Sequence, residues 1–251
     1  MDDFYLTLPS NSSMDVYPFN TMTNFRTRLP NRIELDGRWE VGLVEIQYPH
    51  SWYNLGKGEG RVVFRHFPRR SLIDTVVDVP SGYYSTVNQL LRRIEDEIKL
   101  SKRFIIHTPV AFDYDEITKK ITVENDNCTL QIGSKLRRML GFETNLLPEG
   151  KTSATHPADL DPLHSIYVYC NLVEPRVVGD KLTPLLRVVP VAGKSGDMVT
   201  RTYQNVHYVT LQQKSLETVE INIRDDLGDN VSFERGTLNV TLHFRRKRVL
   251  F

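Results

Sequence analysis

The sequence lacks an excess of charge of either sign, and it has few cysteines. Its 251 residues contain 32 lysines and arginines against 31 aspartates and glutamates, which gives a net charge of +1. A chain with this balance has no overall electrostatic attraction to nucleic acids or membranes. Its two cysteines, Cys128 and Cys170, match no metal-binding or redox spacing. We therefore expect free thiols in a reducing environment and no cofactor bound through cysteine.

Long hydrophobic runs are also missing. No apolar stretch approaches the roughly 18 residues that a membrane-spanning helix needs. The opening residues, MDDFYLTLPSNSS, carry two acids and no basic residue, whereas a secretory signal begins with a basic region. The sequence therefore predicts no membrane span and no secretory signal.

Catalytic motifs are absent as well. The segment AGKSGD at 192–197 resembles part of a phosphate-binding loop, but Val188 stands where such a loop needs a glycine. The histidines form neither an H-x-H nor an H-E-x-x-H pattern. Cys170 lies within an apolar run, where a free cysteine behaves as a small hydrophobic residue rather than as a nucleophile. We predict no catalytic residue, no metal ligand and no enzymatic activity.

The dominant pattern that is present is alternation of apolar and polar residues. Segments near both ends, such as FYLTLP, TVEINIR and TLNVTLHFR, alternate with period two, which indicates half-buried antiparallel strands. Other runs, such as WEVGLVEI at 39–46, are apolar on both faces and predict central strands. In this run the apolar phase shifts from Leu43 to Val44, which suggests a β-bulge. About ten such segments favour a β-sandwich.

The middle of the chain follows a different pattern. Five apolar residues share one helical face after a Thr86–Gln89 capping-box pair, and they are Val87, Leu90, Leu91, Ile94 and Ile98. A second short helix is predicted in SKLRRMLGF, with Ser134 as its cap and Gly141 at its end. Between the two helices, FDYDEITKKITVEN predicts a β-hairpin. We therefore predict a sandwich formed by residues 1–79 and 162–251, with a helix-and-hairpin insertion at 80–161.

Two segments are candidate contact sites. Four consecutive cations near the C-terminus, Arg245, Arg246, Lys247 and Arg248, could contact DNA phosphates or act as a nuclear-import signal. They could equally be a charged end that keeps an edge strand soluble. Trp52 and Tyr53 precede a glycine-rich turn, and they either form a contact surface or pack under the loop as core residues.

Several segments resemble a known family in the order in which they occur along the chain. They include the N-terminal stretch FYLTLPSNSSMDVYPFNTMTNFRTRLPNRIELDGRWEVGLVEIQYPHSW, the short motifs PSGYYS, FDYD and LGF, and the later YVYCNLVEPRVVGDKLTPLLRVVPV and VEINIRDDLGDNVSFERGTLNVTLHFRR. Together they resemble the minor capsid (penton) proteins of Polinton/Maverick elements and the related adintoviruses. The resemblance covers almost the whole chain.

The resemblance implies a single jelly-roll, an antiparallel β-sandwich that usually carries an insertion between strands. It implies a structural subunit that forms homopentamers at the fivefold vertices of an icosahedral virion. The expected partners are further copies of the chain, a double jelly-roll major capsid protein and packaged DNA through the basic C-terminus. Synthesis in the host cytoplasm and assembly in the nucleus are expected. No cofactor is implied.

Two other classes of function stay open at this point. A jelly-roll module that binds carbohydrate or a receptor fits the aromatic pair at Trp52 and Tyr53. A cysteine or histidine hydrolase on a β scaffold is a weaker alternative, which the reactivity of Cys170 would test. Fold class by itself does not choose among these functions.

Overall fold

The structure is a computed structural model that describes residues 2–66, 73–101, 110–160 and 163–247. The chain forms two compact units: unit 1 comprises Met1–Trp52 and Leu163–Phe251, and unit 2 comprises Tyr53–Pro162. In the described part of the chain the strands and helices are, in order, β1 (Asp3–Pro9), β2 (Asn24–Glu34), β3 (Trp39–Pro49), β4 (Arg61–His66), β5 (Ile73–Asp78), α1 (Val87–Leu100), β6 (Val110–Asp115), β7 (Lys120–Asn125), β8 (Cys128–Ile132), α2 (Ser134–Met139), β9 (Leu146–Leu147), β10 (Gly150–Ser153), β11 (Ser165–Cys170), β12 (Arg176–Val178), β13 (Lys181–Thr183), β14 (Leu185–Pro190), β15 (Met198–Thr202), β16 (Val209–Thr210), β17 (Ser215–Arg224) and β18 (Asn239–Arg246).

Unit 1 contains two antiparallel sheets whose strands interleave along the chain. Sheet A has the order β1-β18-β3-β15, with β16 also paired to β3, and sheet B has the order β14-β11-β17-β2. If the eight longer strands of unit 1 are numbered along the chain, sheet A reads 1-8-3-6 and sheet B reads 5-4-7-2. This order, in which the last strand lies between the first and the third, is that of a jelly-roll. The predicted mainly β, jelly-roll fold is confirmed.

The core of unit 1 follows directly from the alternation in the sequence. In β18, Val240, Leu242 and Phe244 are fully buried, whereas the intervening side chains point outward. Phe244 stacks on Phe4 of the neighbouring strand, with ring centroids 4.7 Å apart. Burial of each such side chain contributes about 1.5–3 kcal/mol, so the inner faces of the two sheets supply most of the stability of unit 1.

The predicted bulge in β3 is present. Thr241 of β18 pairs with Glu45, but the next residue, Leu242, pairs with Leu43, so Val44 is an extra residue in β3. The carbonyl of Val44 instead accepts a hydrogen bond from the backbone N–H of Tyr203, at 2.8 Å. The bulge explains why the apolar phase of the sequence shifts at this position.

Unit 2 is inserted between the third and fourth strands of the jelly-roll. It contains a sheet of order β5-β4-β8-β9, a second sheet of order β10-β7-β6, and both helices. Helix α1 buries Leu90, Leu91, Ile94 and Ile98 as predicted. The side chain of Thr86 caps it by accepting the N–H of Gln89 at 3.1 Å.

Two details of unit 2 differ from the sequence predictions. Ser134 is the first residue of α2 rather than its cap, because Gly133 occupies the cap position and makes no side-chain hydrogen bond there. Residues 146–160 belong to a polar stretch with proline and glycine whose composition is typical of an exposed loop, yet they contain β9 and β10, and Leu147 is buried. Proline and glycine in this stretch indicate a loop, so the sequence does not show that β10 pairs with β7.

The insertion begins earlier than the sequence predicts. The boundary expected at 79/80 lies at 52/53 in the structure, while the second boundary, expected at 161/162, lies at 162/163. The difference arises because β4 pairs with β5 and β8 of unit 2. Its sequence, RVVFRH, has the same apolar pattern as a jelly-roll strand, so the pattern alone could not assign it to a sheet.

Candidate interaction surfaces

Cys170 is a core residue and not a nucleophile. It lies in β11 with 1% of its surface exposed. Burial raises the pKa of its thiol to about 12, so almost none of the reactive thiolate is present near neutral pH. Cys128 in unit 2 is also a buried free thiol, and burial raises its pKa too.

The buried histidines serve structural contacts. The ring of His50 stacks on Trp52 with centroids 4.0 Å apart. His243 Nδ1 is 2.7 Å from the hydroxyl of Tyr208, and its Nε2 is 3.4 Å from Asp3 Oδ2. Across the described ranges, no group of three His, Cys, Asp or Glu residues could hold a metal ion. None of the helices within those ranges is long and apolar enough to cross a membrane.

The AGKSGD segment forms a turn that is closed by its own hydrogen bonds. The N–H of Lys194 donates to Asp197 Oδ2 at 2.7 Å. The N–H of Gly196 donates to the carbonyl of His50, and the N–H of His50 donates to the carbonyl of Asp197, both at 2.8 Å. Because these backbone donors are already bonded and no helix follows, the segment does not have the geometry of a phosphate-binding loop.

The aromatic pair at 52–53 divides between core and surface. Trp52 is 4% exposed and meets Phe233 edge-on, with ring centroids 5.8 Å apart. Tyr53 is 43% exposed. Trp52 is therefore a core aromatic, which removes the main support for a carbohydrate-binding surface at this position. A contact role for Tyr53 stays a prediction.

The basic cluster at the end of β18 is partly neutralised within the chain. Arg245 Nε lies 2.5 Å from Glu40 Oε1, and its guanidinium carbon is 3.4 Å from the ring centroid of Tyr208. Arg246 lies 3.5 Å from Asp36, and the backbone N–H of Lys247 donates to the carbonyl of Arg38 at 2.8 Å. Arg248 lies outside the described residues.

These ion pairs reduce the local charge that is available to phosphate groups. Asp36 is fully exposed, so its pairing with Arg246 is screened by solvent, whereas the Glu40 side chain is only 13% exposed. Contact of the cluster with DNA stays a prediction.

The segment between β1 and β2 covers the outer edge of β2. The Asn20 side chain accepts the N–H of Arg26 at 2.9 Å and donates to its carbonyl at 2.8 Å. Ser13 Oγ accepts the N–H of Arg28 at 3.0 Å. These side chains replace a neighbouring strand and so protect the edge from unwanted pairing. The same segment exposes 92% of Phe19, an apolar surface that we did not predict.

A second unpredicted apolar surface lies on the β12–β13 hairpin. Val177 and Leu182 are cross-strand partners and are 74% and 70% exposed. The alternating pattern of these strands is the same as that of a core strand, so the sequence carried no signal that they face solvent. Exposed apolar pairs of this kind favour protein contacts.

The outward face of sheet A is acidic, and we call it face A. It is defined by Asp3, Tyr5, Glu40, Glu45 and Arg245, on strands β1, β3 and β18. Arg245 pairs with Glu40. Among the described residues, the carboxylates of Asp3 and Glu45 have no lysine or arginine partner, although Asp3 Oδ2 lies 3.4 Å from His243 Nε2. Glu45 accepts a hydrogen bond from Thr202 at 3.0 Å, and Tyr5 is 61% exposed and stacked on His243.

The outward face of sheet B is basic, and we call it face B. It is defined by Arg26, Arg28, Tyr167, Tyr169, Glu220 and Arg224, on strands β2, β11 and β17. Arg26 pairs with Glu220 at 2.8 Å. The Arg224 guanidinium donates to the neutral oxygens of Asn222 and Gly228. Within the described ranges, no carboxylate pairs with Arg28 or Arg224, so two positive charges are left.

The sequence matches no protein-family model and no curated protein sequence. Comparison with solved structures does find similar chains. The crystal structure of the mavirus penton protein is similar with a TM-score of 0.53 and 12% identity, and the match covers 97% of this chain and 99% of that one. A chain in the cryo-EM structure of the Sputnik virophage has a TM-score of 0.45 and 11% identity, and the match covers 98% of each chain. At this identity the mavirus likeness shows a common fold.

Proposed function

We propose that the chain is a structural virion protein, a minor capsid (penton) subunit that forms the fivefold vertices of an icosahedral capsid. The observation that carries the proposal is the jelly-roll strand order with an insertion after its third strand. It is supported by the whole-length likeness to the mavirus penton protein. The resemblance of its sequence to Polinton/Maverick and adintovirus pentons points to an element of that type.

The chemistry of the described residues agrees with a structural role rather than an enzymatic one. Its single candidate nucleophile, Cys170, is buried with a raised pKa. The polar groups on the sheets bond to one another, as Thr202 does to Glu45. The proposed partners are further copies of the chain and a double jelly-roll major capsid protein, with DNA contact through Arg245–Arg248. The proposed location is the virion, after synthesis in the host cytoplasm and assembly in the nucleus.

Native mass spectrometry across a concentration series tests the proposed assembly. A penton predicts a five-chain species and no stable three-chain species, either for the chain alone or only once the major capsid protein is present. A dominant trimer would contradict the proposal and favour a lectin-like or major-capsid role. A chain that stays monomeric even with the major capsid protein present would also contradict it.

A further inference from the structure

We infer that face A of one copy of the chain binds face B of a second copy, head to tail. This inference rests on the proposed function and deepens it, because it names the two surfaces that meet. The two faces belong to the same unit and point away from its core, so each copy carries both of them. The occupant of each face is therefore another copy of this chain.

Charge is the first observation that selects this pairing. Face A has three carboxylates, of Asp3, Glu40 and Glu45, against one guanidinium group, and face B has three guanidinium groups, of Arg26, Arg28 and Arg224, against one carboxylate. Face A against face A would bring like charges together, and so would face B against face B, which costs free energy. A twofold contact between identical faces is thus disfavoured. The head-to-tail contact is the type that closes into rings.

The spacing of the charges is the second observation. Asp3 pairs with Arg245, while Glu45 pairs with Thr241 four residues along β18 and two strands across from β1. Standard strand dimensions place Asp3 and Glu45 about 17 Å apart. Arg28 pairs with Thr218, six residues along β17 from Arg224, which places the Cα atoms of the two arginines about 20 Å apart. Because the two separations are similar, Asp3 and Glu45 of one copy can contact Arg28 and Arg224 of the next copy at the same time, with the flexible arginine side chains covering the difference.

Aromatic residues supply the apolar part of the contact. Tyr5 projects from face A with 61% of its surface exposed. On face B, Tyr167 and Tyr169 are partly exposed on the outward side of β11, with Val188 beside Tyr167. Tyrosines provide a large contact area at a small cost in side-chain entropy, which is why they are frequent at protein interfaces.

The size of the faces predicts a weak single contact. Four strands at about 4.8 Å spacing and about six residues at about 3.4 Å cover at most roughly 400 Å². On face A the segment at Val206 and His207 lies over Gly42, so the area that is free for contact is smaller. Stable complexes bury about 800 Å² on each partner. A pair of copies held by these faces alone therefore dissociates readily. A closed ring is more stable because every copy makes two contacts.

Charge reversal in the full-length chain tests the pairing. One variant carries Arg28→Glu with Arg224→Glu, a second carries Asp3→Lys with Glu45→Lys, and a third combines all four changes. Sedimentation velocity across a concentration series at about 0.05 M and about 0.5 M salt measures the midpoint of assembly. We expect each double variant to raise the midpoint at low salt at least about tenfold. The combined variant should return to within about threefold of the wild type.

The matched control is Arg92→Glu with Lys151→Glu, which reverses two exposed charges in unit 2. It should leave the midpoint unchanged. Tryptophan fluorescence for unit 1 and the helical circular dichroism signal for unit 2 should show that all variants are folded. The face pairing would be overturned if both double variants had the same assembly midpoint as this control. It would also be overturned if the combined variant stayed dissociated.

The outcomes separate this inference from the proposed function. A five-chain ring that withstands both reversals contradicts the face pairing and leaves the penton proposal standing. Assembly into three chains that responds to both reversals and is restored by their combination supports the face pairing but contradicts a penton. A chain that stays monomeric throughout the series contradicts the face pairing, whatever the major capsid protein does.

Discussion

Replacing Gly42 with alanine is expected to destabilise unit 1 through a steric clash on the outward side of β3. Gly42 lies opposite His243 of β18, and the segment at Val206 and His207 passes directly over it. A Cβ atom at position 42 would lie 2.3 Å from Val206 Cγ1 and 2.9 Å from the carbonyl oxygen of His207. Carbon atoms in contact are normally about 3.5–4.0 Å apart.

The size of the destabilisation depends on how far the atoms next to Gly42 can move. The Val206 methyl group can rotate, but the His207 oxygen belongs to the backbone, so the whole segment must lift away from β3. This movement also strains the adjacent hydrogen bond between Tyr208 and His243. Overpacking of this kind costs about 1–3 kcal/mol. For a unit of this size, about 2 kcal/mol lowers Tm by about 6 °C.

Urea unfolding followed by tryptophan fluorescence measures the effect selectively. The chain has two tryptophans, Trp39 and Trp52, and both are buried in unit 1. The control is Gly82→Ala in unit 2, followed by the helical circular dichroism signal of its own unit, because no atom lies within 4 Å of a Cβ at that position. The added change Val206→Ala should recover part of the stability lost in Gly42→Ala. A Gly42→Ala midpoint equal to that of the wild type would refute the close approach of this segment to β3.

Three further predictions follow from other parts of the structure. With a pKa of about 12, the Cys170 thiol is ionised in about one chain in 10,000 at pH 8. Neither Cys170 nor the buried Cys128 should therefore react with Ellman's reagent until urea unfolds the chain. Fast reaction of the native protein would contradict the burial of these thiols. Asn54→Ala removes two hydrogen bonds of 2.9 Å to the backbone of Tyr84 and should destabilise unit 2 by about 2 kcal/mol. Urea unfolding followed by the helical circular dichroism signal measures this loss. An unchanged unfolding midpoint would contradict the contribution of these bonds. Replacing Arg245–Arg248 with serine should weaken DNA binding and flatten its salt dependence, whereas a wild type with no salt-dependent DNA binding and no nuclear accumulation would contradict both a DNA contact and an import role for the cluster.

Local features of the fold were predictable because their causes are local. The apolar face of α1 and its Thr86 cap are set by residues within one helix, and both are found as expected. Gln89 differs in one respect, since its side chain accepts the N–H of Ser85 rather than that of the cap residue. The bulge at Val44 was also predictable, because an extra residue shifts the apolar alternation within a single strand.

The domain boundary was less predictable because strand pairing is not a local property. The apolar alternation of β4 shows that it is buried, but its pairing with β5 and β8 depends on segments distant in the sequence. The same reason explains why the partly exposed hairpin at Val177 and Leu182 could not be distinguished from core strands.

The candidate surfaces were partly predictable from the sequence. Alternation indicates that Asp3, Glu45, Arg28 and Arg224 point outward, but only the strand order places two acids on one face and two arginines on the other. Trp52 and Tyr53 are adjacent in the sequence, but Trp52 is buried in the core whereas Tyr53 is exposed. Their sequence neighbourhood is the same, so only the packing of unit 1 against Trp52 decides its burial.

Cryo-EM of particles assembled from this chain and a double jelly-roll major capsid protein, its proposed partner, tests the proposed role most directly. We predict density for five copies of this chain around each fivefold vertex, with the jelly-roll of unit 1 resolved in every copy. Particles whose vertices contain another protein, or complete capsids that form without this chain at the vertices, would contradict the proposal.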